Sequence, residues 1–390
     1  MYVPQYEYMK MIADANIGLF KELGHAAAGH NGPYYQLDSP VRNSAYYLAI
    51  YSYLYRVTHE NIYLDMCEML YAYIRDVHKE SFSGAIRCMD MNTSTYSFGP
   101  DRLNGLIGQA WVIDALLSYY EVSELPDVLE MAISITKSQK YDSSLHLWHR
   151  IDVSGEDLGI DRAYNHNVYF AASAARLLEH HYESSLDEEI RDFLSLGAER
   201  DFRVNMSGRL RHQVAIPIHA NAWQRAWTIA KRLAKVALSP FKNLNPKKLD
   251  VAYQENGYQI FDMYGFKMLE KRYGNLPLFS SKKYRKAKAY ALDLNSMNKR
   301  LGVKDGSRHL NEYGYLYNSP AFEYPYIAEI DSSDFAALNA LIDVHRRYML
   351  DQVTGQFSRN NPDIETFNAR TFEIIRYLDA AGFTEKLING

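Results

Sequence analysis

Apolar side chains recur every three to four residues along much of this 390-residue chain, a spacing that predicts helices with one buried face. Two such stretches stand close together in the chain. One carries Ile62, Met66, Met69, Tyr73 and Val77, and the other carries Leu106, Ala110, Ile113 and Leu117. A third stretch, 165–178, is apolar over more of its circumference, so it is predicted to be more deeply buried.

The pattern repeats at a fixed interval, which is the signature of a repeated helical unit. Asn43, Asn104 and Asn165 each stand at the expected start of an apolar helix, in steps of 61 residues. Asn is a favoured N-cap residue, so each is predicted to cap its helix. Asn256 is a fourth helix start of this kind, and weaker echoes at Asn318 and Asn368 bring the number of predicted inner helices to six. A small residue followed by an apolar and basic run precedes most of them.

Six inner helices, each followed by an outer helix running back, predict an all-α (α/α)6 barrel with short β-like loops on one face. An open helical solenoid is the alternative topology. The sequence is interpreted as a single domain, 1–390. In the barrel, the loops that precede the inner helices meet on one face, and the functional cleft is expected there.

Composition narrows the possible partners. The formal net charge is −4, which gives no reason to expect nucleic acid as a partner. The two cysteines form no metal-binding spacing. No signal peptide or membrane-spanning stretch is apparent, so a cytoplasmic location is expected.

One segment departs from the repeat. Residues 222–249 hold seven basic side chains and no acidic one, with Trp223 and Trp227 among them. A basic amphipathic segment of this kind binds an anionic membrane surface or a protein partner, or packs on the barrel as an elaborated hairpin. The hairpin is the favoured interpretation.

Polar residues concentrate in the loops that lead into the inner helices, which suits a sugar-binding cleft. Glycosidic cleavage needs two carboxyl groups flanking one bond, so Asp101 and Asp161 are the predicted acid/base pair, with Glu323 in reserve. Each of these aspartates is followed directly by an arginine, Arg102 or Arg162, which could bind a uronate carboxylate. The alternative for each Asp-Arg pair is a local salt bridge. The other predicted substrate-binding residues are Asn104, Trp148, His149, Tyr164, Asn165, His166, Tyr324 and Tyr326.

The histidines complete no recognised metal-binding set, so no metal and no other cofactor is expected. His166 stands in the first turn of an inner helix. It is either a general base or sugar ligand, or a hydrogen-bonded structural histidine.

The run Asp101-Arg-Leu-Asn-Gly-Leu-Ile-Gly-Gln-Ala-Trp111, which heads an apolar helix, resembles the six-hairpin glycosidase superfamily, and most closely its unsaturated-uronyl hydrolases. The resemblance implies an (α/α)6 toroid, carbohydrate substrates, acidic catalytic residues and no metal. The same superfamily holds polysaccharide lyases, sugar epimerases and proteins of polysaccharide gene clusters. The basic segment is a departure from the uronyl hydrolases.

Three functional hypotheses follow. The first is a glycoside hydrolase acting on an acidic oligosaccharide or polysaccharide. The second keeps the cleft but changes the reaction to β-elimination or epimerisation, with His166 or Tyr164 removing the proton next to a uronate carboxylate. The third is a glycan-binding factor in surface-polysaccharide biosynthesis that does not turn over its ligand and meets the membrane through residues 222–249.

Overall fold

A computed structural model describes residues 3–30, 32–34, 36, 39–89, 101–215, 251–302, 310–351 and 359–389. Helices dominate these residues. In chain order the α-helices are α1 (Pro4–Leu23), α2 (Pro40–Thr58), α3 (Asn61–His78), α4 (Gly105–Ser123), α5 (Pro126–Lys137), α6 (Tyr164–His180), α7 (Ser184–Asp192), α8 (Ala198–Asp201), α9 (Val251–Tyr273), α10 (Pro277–Ser280), α11 (Lys282–Leu292), α12 (Leu294–Arg300), α13 (Pro320–Ala328), α14 (Phe335–Tyr348), α15 (Ile364–Ala369), α16 (Ile374–Ala380) and α17 (Phe383–Asn389).

Six inner helical segments form a closed ring. Helix α2 packs on α4, α4 on α6, α6 on α9, α9 on α13 and α13 on α16. The sixth segment consists of α15, a 3-10 turn (Arg370–Glu373) and α16, and its first part packs back on α2. The ring is therefore an (α/α)6 toroid, as the repeat predicts, and the open solenoid is excluded.

An outer ring of helices surrounds the inner ring, and five of its six helices follow one packing rule. Helices α3, α5, α7, α11 and α14 each pack against the inner helix that precedes them in the chain. The sixth outer position is filled by α1, which lies between α14 and α3 and also contacts α2 and α16. Gln5 Nε2 of α1 donates to the Leu338 carbonyl oxygen of α14 at 3.1 Å. The first helix of the chain thus closes the outer ring.

The distribution of apolar side chains on a helix depends on whether the helix lies in the inner or the outer ring. Helix α4 is apolar nearly all round because α2, α5 and α6 cover it, and its side chains from Leu106 to Leu117 are buried. The outer helix α3 is amphipathic, with Met66, Leu70 and Ile74 turned to the core. Proline stands at the start of α2, α5 and α13, where its missing N–H has no helical partner to lose.

The predicted asparagine caps are wrong in detail. Asn43 lies three residues inside α2 and Asn165 is the second residue of α6. Asn104 does occupy the N-cap position of α4, but with a left-handed φ of 58° and no capping hydrogen bond from its side chain. The 61-residue steps therefore locate the starts of the inner helices to within a turn. Other groups satisfy the first N–H groups.

A small antiparallel sheet lies between α5 and α6 and provides the predicted β-like loops. Its strands are β1 (Tyr141–Asp142), β2 (Leu147–Ile151) and β3 (Asp157–Ile160), in the order β1-β2-β3. Tyr141 pairs with Trp148, and His149 pairs with Ile160. Because β3 leads directly into α6, the sheet stands at the face where the inner helices begin.

The toroid has two openings along its axis. The N-terminal mouth is the face where the inner helices begin, and the C-terminal mouth is the face where they end. Across the described ranges, no helix has the length and apolar character needed to cross a bilayer. The basic segment 222–249 lies outside the described residues.

Candidate active site

The first turns of the inner helices enclose a small cavity at the N-terminal mouth. Its volume is about 20 Å³, enough for roughly one water molecule. Aromatic rings and a few polar groups form the wall. The lining residues are Tyr34, Asn104, Ile107, Trp111, Asn165, His166, Tyr258, Phe261, Tyr317 and Arg370.

His166 and Asp161 form a hydrogen-bonded pair on one side of this cavity. His166 Nδ1 lies 2.9 Å from Asp161 Oδ2, and the same oxygen accepts the Leu106 N–H at 2.9 Å. Burial alone would raise the pKa of Asp161, but the charge and hydrogen bond of His166, together with Arg150 and the Leu106 N–H, hold it at about 2. Ionised Asp161 orients the imidazole through Nδ1. The His166 Nε2 makes no hydrogen bond to the described residues.

Gly105 brings the backbone of α4 against this pair. Its φ is +65°, and a Cβ placed there would lie 2.6 Å from Asp161 Oδ2 and closer still to His166 Nδ1. Only glycine permits both the left-handed conformation and this close approach. The backbone therefore forms a wall that fixes the His166 ring.

A second histidine, His212, lies near the carboxylate of Asp262 without a hydrogen bond between them. The His212 ring packs on Tyr258 with centroids 4.3 Å apart, and its Nδ1 lies 3.7 Å from Asp262 Oδ1. Both side chains are buried, and burial raises the pKa of Asp262, only partly offset by His212. The charge of His166 also lowers the pKa of Asp262, by less than His212 does.

Three buried ionisable groups occupy the opposite side of the cavity. Arg370 Nη2 donates to Glu323 Oε1 at 3.1 Å and to Glu373 Oε1 at 2.6 Å. Burial, followed by the charge of Glu373, raises the pKa of Glu323 well above its usual range. Two carboxylates sharing one guanidinium favour a neutral Glu323. The Arg370 guanidinium also lies 4.8 Å from the Phe261 ring centroid and 4.9 Å from that of Tyr317.

Several polar atoms of the cavity wall have no hydrogen-bond partner among the described residues. They are Trp111 Nε1, both side-chain polar atoms of Asn165, and Nε and Nη1 of Arg370. A buried polar group without a partner costs free energy comparable to a lost hydrogen bond. Unsatisfied donors and acceptors gathered around one cavity are what a polyhydroxylated ligand would satisfy.

The structure brings some predicted residues to this cavity. Asn104, Asn165 and His166 line it, and Asp161 stands directly behind His166. Asp101 lies close by, but its carboxylate accepts the N–H groups of Leu103 and Gly105. Asp101 and Asp161 therefore bind the first N–H groups of the same helix, α4, and do not face each other across a cleft.

The predicted arginines and His149 make local contacts elsewhere. Arg102 forms a salt bridge with Asp152, not with its neighbour Asp101. The backbone carbonyl of Arg162 accepts the Val214 N–H and its side chain is exposed. In the sheet, His149 Nδ1 lies 2.7 Å from Asp157 Oδ1.

The predicted stacking aromatics are not on the cavity wall. Trp148 is buried against Phe170 and Phe193. The Tyr164 ring packs against Phe193 and Phe266. Two residues of α13 lie elsewhere again: Tyr324 donates to the Leu292 carbonyl oxygen at 3.0 Å, and Tyr326 lines the C-terminal mouth. Trp148, Tyr164 and Tyr324 are buried in the core, and Tyr326 lines the other cavity.

Sequence reasoning missed His212, Asp262 and Arg370. His212 directly follows the run Ser207–Arg211 that marks the third unit, Asp262 lies six residues after Asn256, and Arg370 lies two after Asn368. Asp262 and Arg370 are charged residues inside inner helical segments and His212 lies in a loop, and no local pattern shows that the three come together. In the part of the chain that the structure describes, no group of three or more His, Cys, Asp or Glu residues is arranged to hold a metal ion.

Comparisons with known proteins agree with this fold. No protein-family model matches the chain. It is 26% identical over 371 residues to archaeal glycosylation protein Q of Haloferax volcanii, covering 94% of this chain and 95% of that protein. The cellobiose 2-epimerase of Spirochaeta thermophila matches with a TM-score of 0.59 at 12% identity, covering 96% of this chain and 98% of that chain. The enzyme of the same name from Bacillus thermoamylovorans matches with a TM-score of 0.57 at 15% identity, covering 95% and 99%. These structural likenesses show that the fold is an (α/α)6 toroid.

Proposed function

We propose that this protein is a carbohydrate-active enzyme that epimerises or isomerises a sugar by reversible proton transfer at the N-terminal mouth. The observation that carries the proposal is the hydrogen-bonded His166–Asp161 pair at the cavity, together with a second histidine, His212, packed on the wall residue Tyr258. The glycosylation protein and the sugar epimerases among the similar proteins support a sugar substrate.

The reaction needs one group that takes a proton and another that returns one. In the proposed step, the imidazole of His166 removes the hydrogen next to a carbonyl as a proton through Nε2, and the C–H electron pair moves onto the carbonyl oxygen. His212 in its protonated form then returns a proton to the opposite face of the same carbon. Asp161, ionised because its pKa is about 2, stabilises the imidazolium that forms on His166.

The remaining wall groups suit the substrate's oxygens. Trp111 Nε1 and the Arg370 guanidinium offer N–H donors, and the Asn165 amide offers both a donor and an acceptor. Donors fixed in place before substrate binds stabilise an enediolate oxygen without reorganising.

These contacts favour proton transfer over hydrolysis. Hydrolysis by the predicted acid/base pair requires Asp101 and Asp161 on opposite sides of the scissile bond. Both carboxylates instead hold N–H groups of α4, and Arg150 Nη1 lies 3.0 Å from Asp101 Oδ2. Glu323 is fully buried and bound to Arg370.

The test compares two histidines with similar carboxylate partners. His166→Gln removes the proposed base, while His149→Gln removes a histidine that also pairs with an aspartate but lies in the sheet, away from the cavity wall. The substrates are D-mannose, D-glucose, cellobiose and D-glucuronate, and the products are read by NMR. We expect His166→Gln to lower interconversion about 10²–10⁴-fold and His149→Gln to leave it unchanged.

Two results would contradict the proposal. One is equal loss in both variants, which would indicate a structural effect of removing either histidine. The other is release of new reducing ends from an oligosaccharide by the wild-type protein without any interconversion of its sugars, which would restore the hydrolase hypothesis.

A further inference from the structure

The C-terminal mouth holds a second and larger cavity. Its volume is about 530 Å³, within the range of small-molecule binding sites of roughly 300–1,000 Å³. The last turns of the inner helices α2, α4, α6, α9 and α16 supply its wall, together with Tyr326 of α13. None of the groups assigned above to proton transfer lines this cavity.

A continuous chain of ion pairs runs around this cavity. Asp114 Oδ1 accepts from Arg376 Nη2 at 2.5 Å and from Arg176 Nη1 at 2.7 Å. Arg176 Nη2 donates in turn to Glu121 Oε1 at 2.8 Å. Arg56 approaches Glu121 at 3.7 Å and donates to Asp379 at 2.6 Å. Every carboxylate of this chain is thus already paired with at least one guanidinium.

Guanidinium and ammonium donors remain available in the cavity. Arg376 makes one hydrogen bond among the described residues, so most of its N–H groups are unused. Arg56 Nε is buried without a hydrogen-bond partner. The Lys271 ammonium lies 3.8 Å from Glu179, beyond hydrogen-bonding distance, and is largely exposed. The lining therefore offers cationic donors beside the carboxylates of the ion-pair chain.

The helix dipole explains why basic residues stand at these helix ends, but it does not explain the cavity between them. Arg56 and Lys271 stand in the last turns of α2 and α9, where cations interact favourably with the helix dipole. That role needs no cavity. Apolar surface from Tyr326, Phe372 and Ala172 completes the wall. Such a wall suits a ligand that has an uncharged part, such as a sugar ring, as well as a charged group.

A layer of aromatic rings separates the two cavities. Phe372, which lines the cavity at the C-terminal mouth, stacks on Tyr46 with ring centroids 4.5 Å apart. The Tyr46 ring in turn packs edge-on against Trp111, which lines the cavity at the N-terminal mouth; their ring centroids are 5.2 Å apart. A ligand at one mouth therefore does not occupy the other.

We propose that the C-terminal mouth is a binding site for a monosaccharide-sized oxyanion, a sugar carrying a phosphate or carboxylate group, held by the guanidinium groups of Arg376 and Arg56. The planar fork of N–H donors in a guanidinium group can form paired hydrogen bonds with either a phosphate or a carboxylate. The site is independent of the reaction proposed at the N-terminal mouth.

Calorimetric titration of the full chain tests this site. The ligands are inorganic phosphate, glucose 6-phosphate and glucuronate, with glucose as the neutral control, each at low and high salt. We expect the anions to bind with an affinity that falls as salt rises, whereas any binding of glucose, a candidate substrate of the N-terminal mouth, should not depend on salt. Comparing glucose 6-phosphate with glucuronate decides between phosphate and carboxylate.

Three variants locate the binding. Arg376→Lys keeps a cation beside Asp114 but loses the planar fork, so we expect about tenfold weaker binding. Lys271→Gln, at an exposed position, weakens binding at low salt without affecting folding. Lys79→Gln, an exposed lysine of the outer helix α3, is the matched control and leaves binding unchanged.

The outcomes that overturn the proposal are distinct from those that test the enzyme. No anion binding tighter than a Kd of about 1 mM would reject the site. So would an Arg376→Lys protein that melts at the wild-type temperature and binds as tightly as wild type. If His166→Gln abolished anion binding, the anion would belong to the N-terminal mouth instead.

Discussion

Gly105 is the residue at which backbone geometry and proposed chemistry meet most closely. A side chain there would press on His166 Nδ1 and on Asp161 Oδ2, the two atoms that orient the imidazole. Because the residue also has a φ of +65°, a Cβ would add backbone strain to the steric clash.

The substitution Gly105→Ala separates these two effects when it is compared with Gly155→Ala. Gly155 has a φ of +89°, but a Cβ there meets nothing within 4 Å. We expect both variants to lose about 1–2 kcal/mol from backbone strain, and Gly105→Ala to lose more in urea unfolding. Sugar interconversion should fall at least tenfold in Gly105→Ala alone. Full activity in Gly105→Ala would show that the placement of His166 is not critical.

The residues of the candidate site were only partly predictable from the sequence. Asp161, Asn165 and His166 follow from their position at a repeated helix start. His212, Asp262 and Arg370 do not, because their importance depends on which helices meet across the ring. A lone buried histidine or aspartate has no local pattern that separates it from an exposed one.

At the scale of elements, the starts of α4 and α6 are joined by a single carboxylate. Asp161 Oδ2 accepts the Leu106 N–H of α4, and its Oδ1 accepts the N–H of Ala163 at the start of α6. Asp101 holds the preceding N–H groups of α4. These carboxylates replace the asparagine cap that the repeat predicted.

The pH dependence of stability follows from the low pKa of Asp161. Its pKa of about 2 in the folded protein lies below that of an unfolded aspartate, so the ionised group stabilises the fold. This contribution, about 2 kcal/mol, is complete above roughly pH 5 and disappears as the pH falls towards 2. Urea unfolding of wild type and Asp161→Asn should therefore differ most near neutral pH and converge in acid. A difference that stays constant from pH 6 to about pH 2 would contradict the assignment.

The helices themselves were largely predictable because their burial is periodic and their repeat is regular. The 61-residue steps place three inner helices correctly to within a turn. The role of α1 was not predictable, because an amphipathic helix at the start of the chain does not reveal which groove it fills. Only closure of the ring brings it between α3 and α14.

On the scale of the whole molecule, the toroid separates two kinds of chemistry along one axis. Helix starts place His166, with its partner Asp161, at the N-terminal mouth, while helix ends gather arginines paired with carboxylates at the other. The aromatic layer of Phe372, Tyr46 and Trp111 lies between them. This arrangement follows from six parallel inner helices, each of which presents the same end to the same face.

The central claim is proton transfer at the N-terminal mouth, and isotope exchange tests it most directly. Sugar that the wild-type protein interconverts in D2O should carry deuterium at the carbon next to the carbonyl, seen by NMR as loss of that proton signal. Incorporation should fall with activity in His166→Gln and in His212→Gln. Interconversion without any deuterium at that carbon, or equal incorporation in both variants and wild type, would contradict the account.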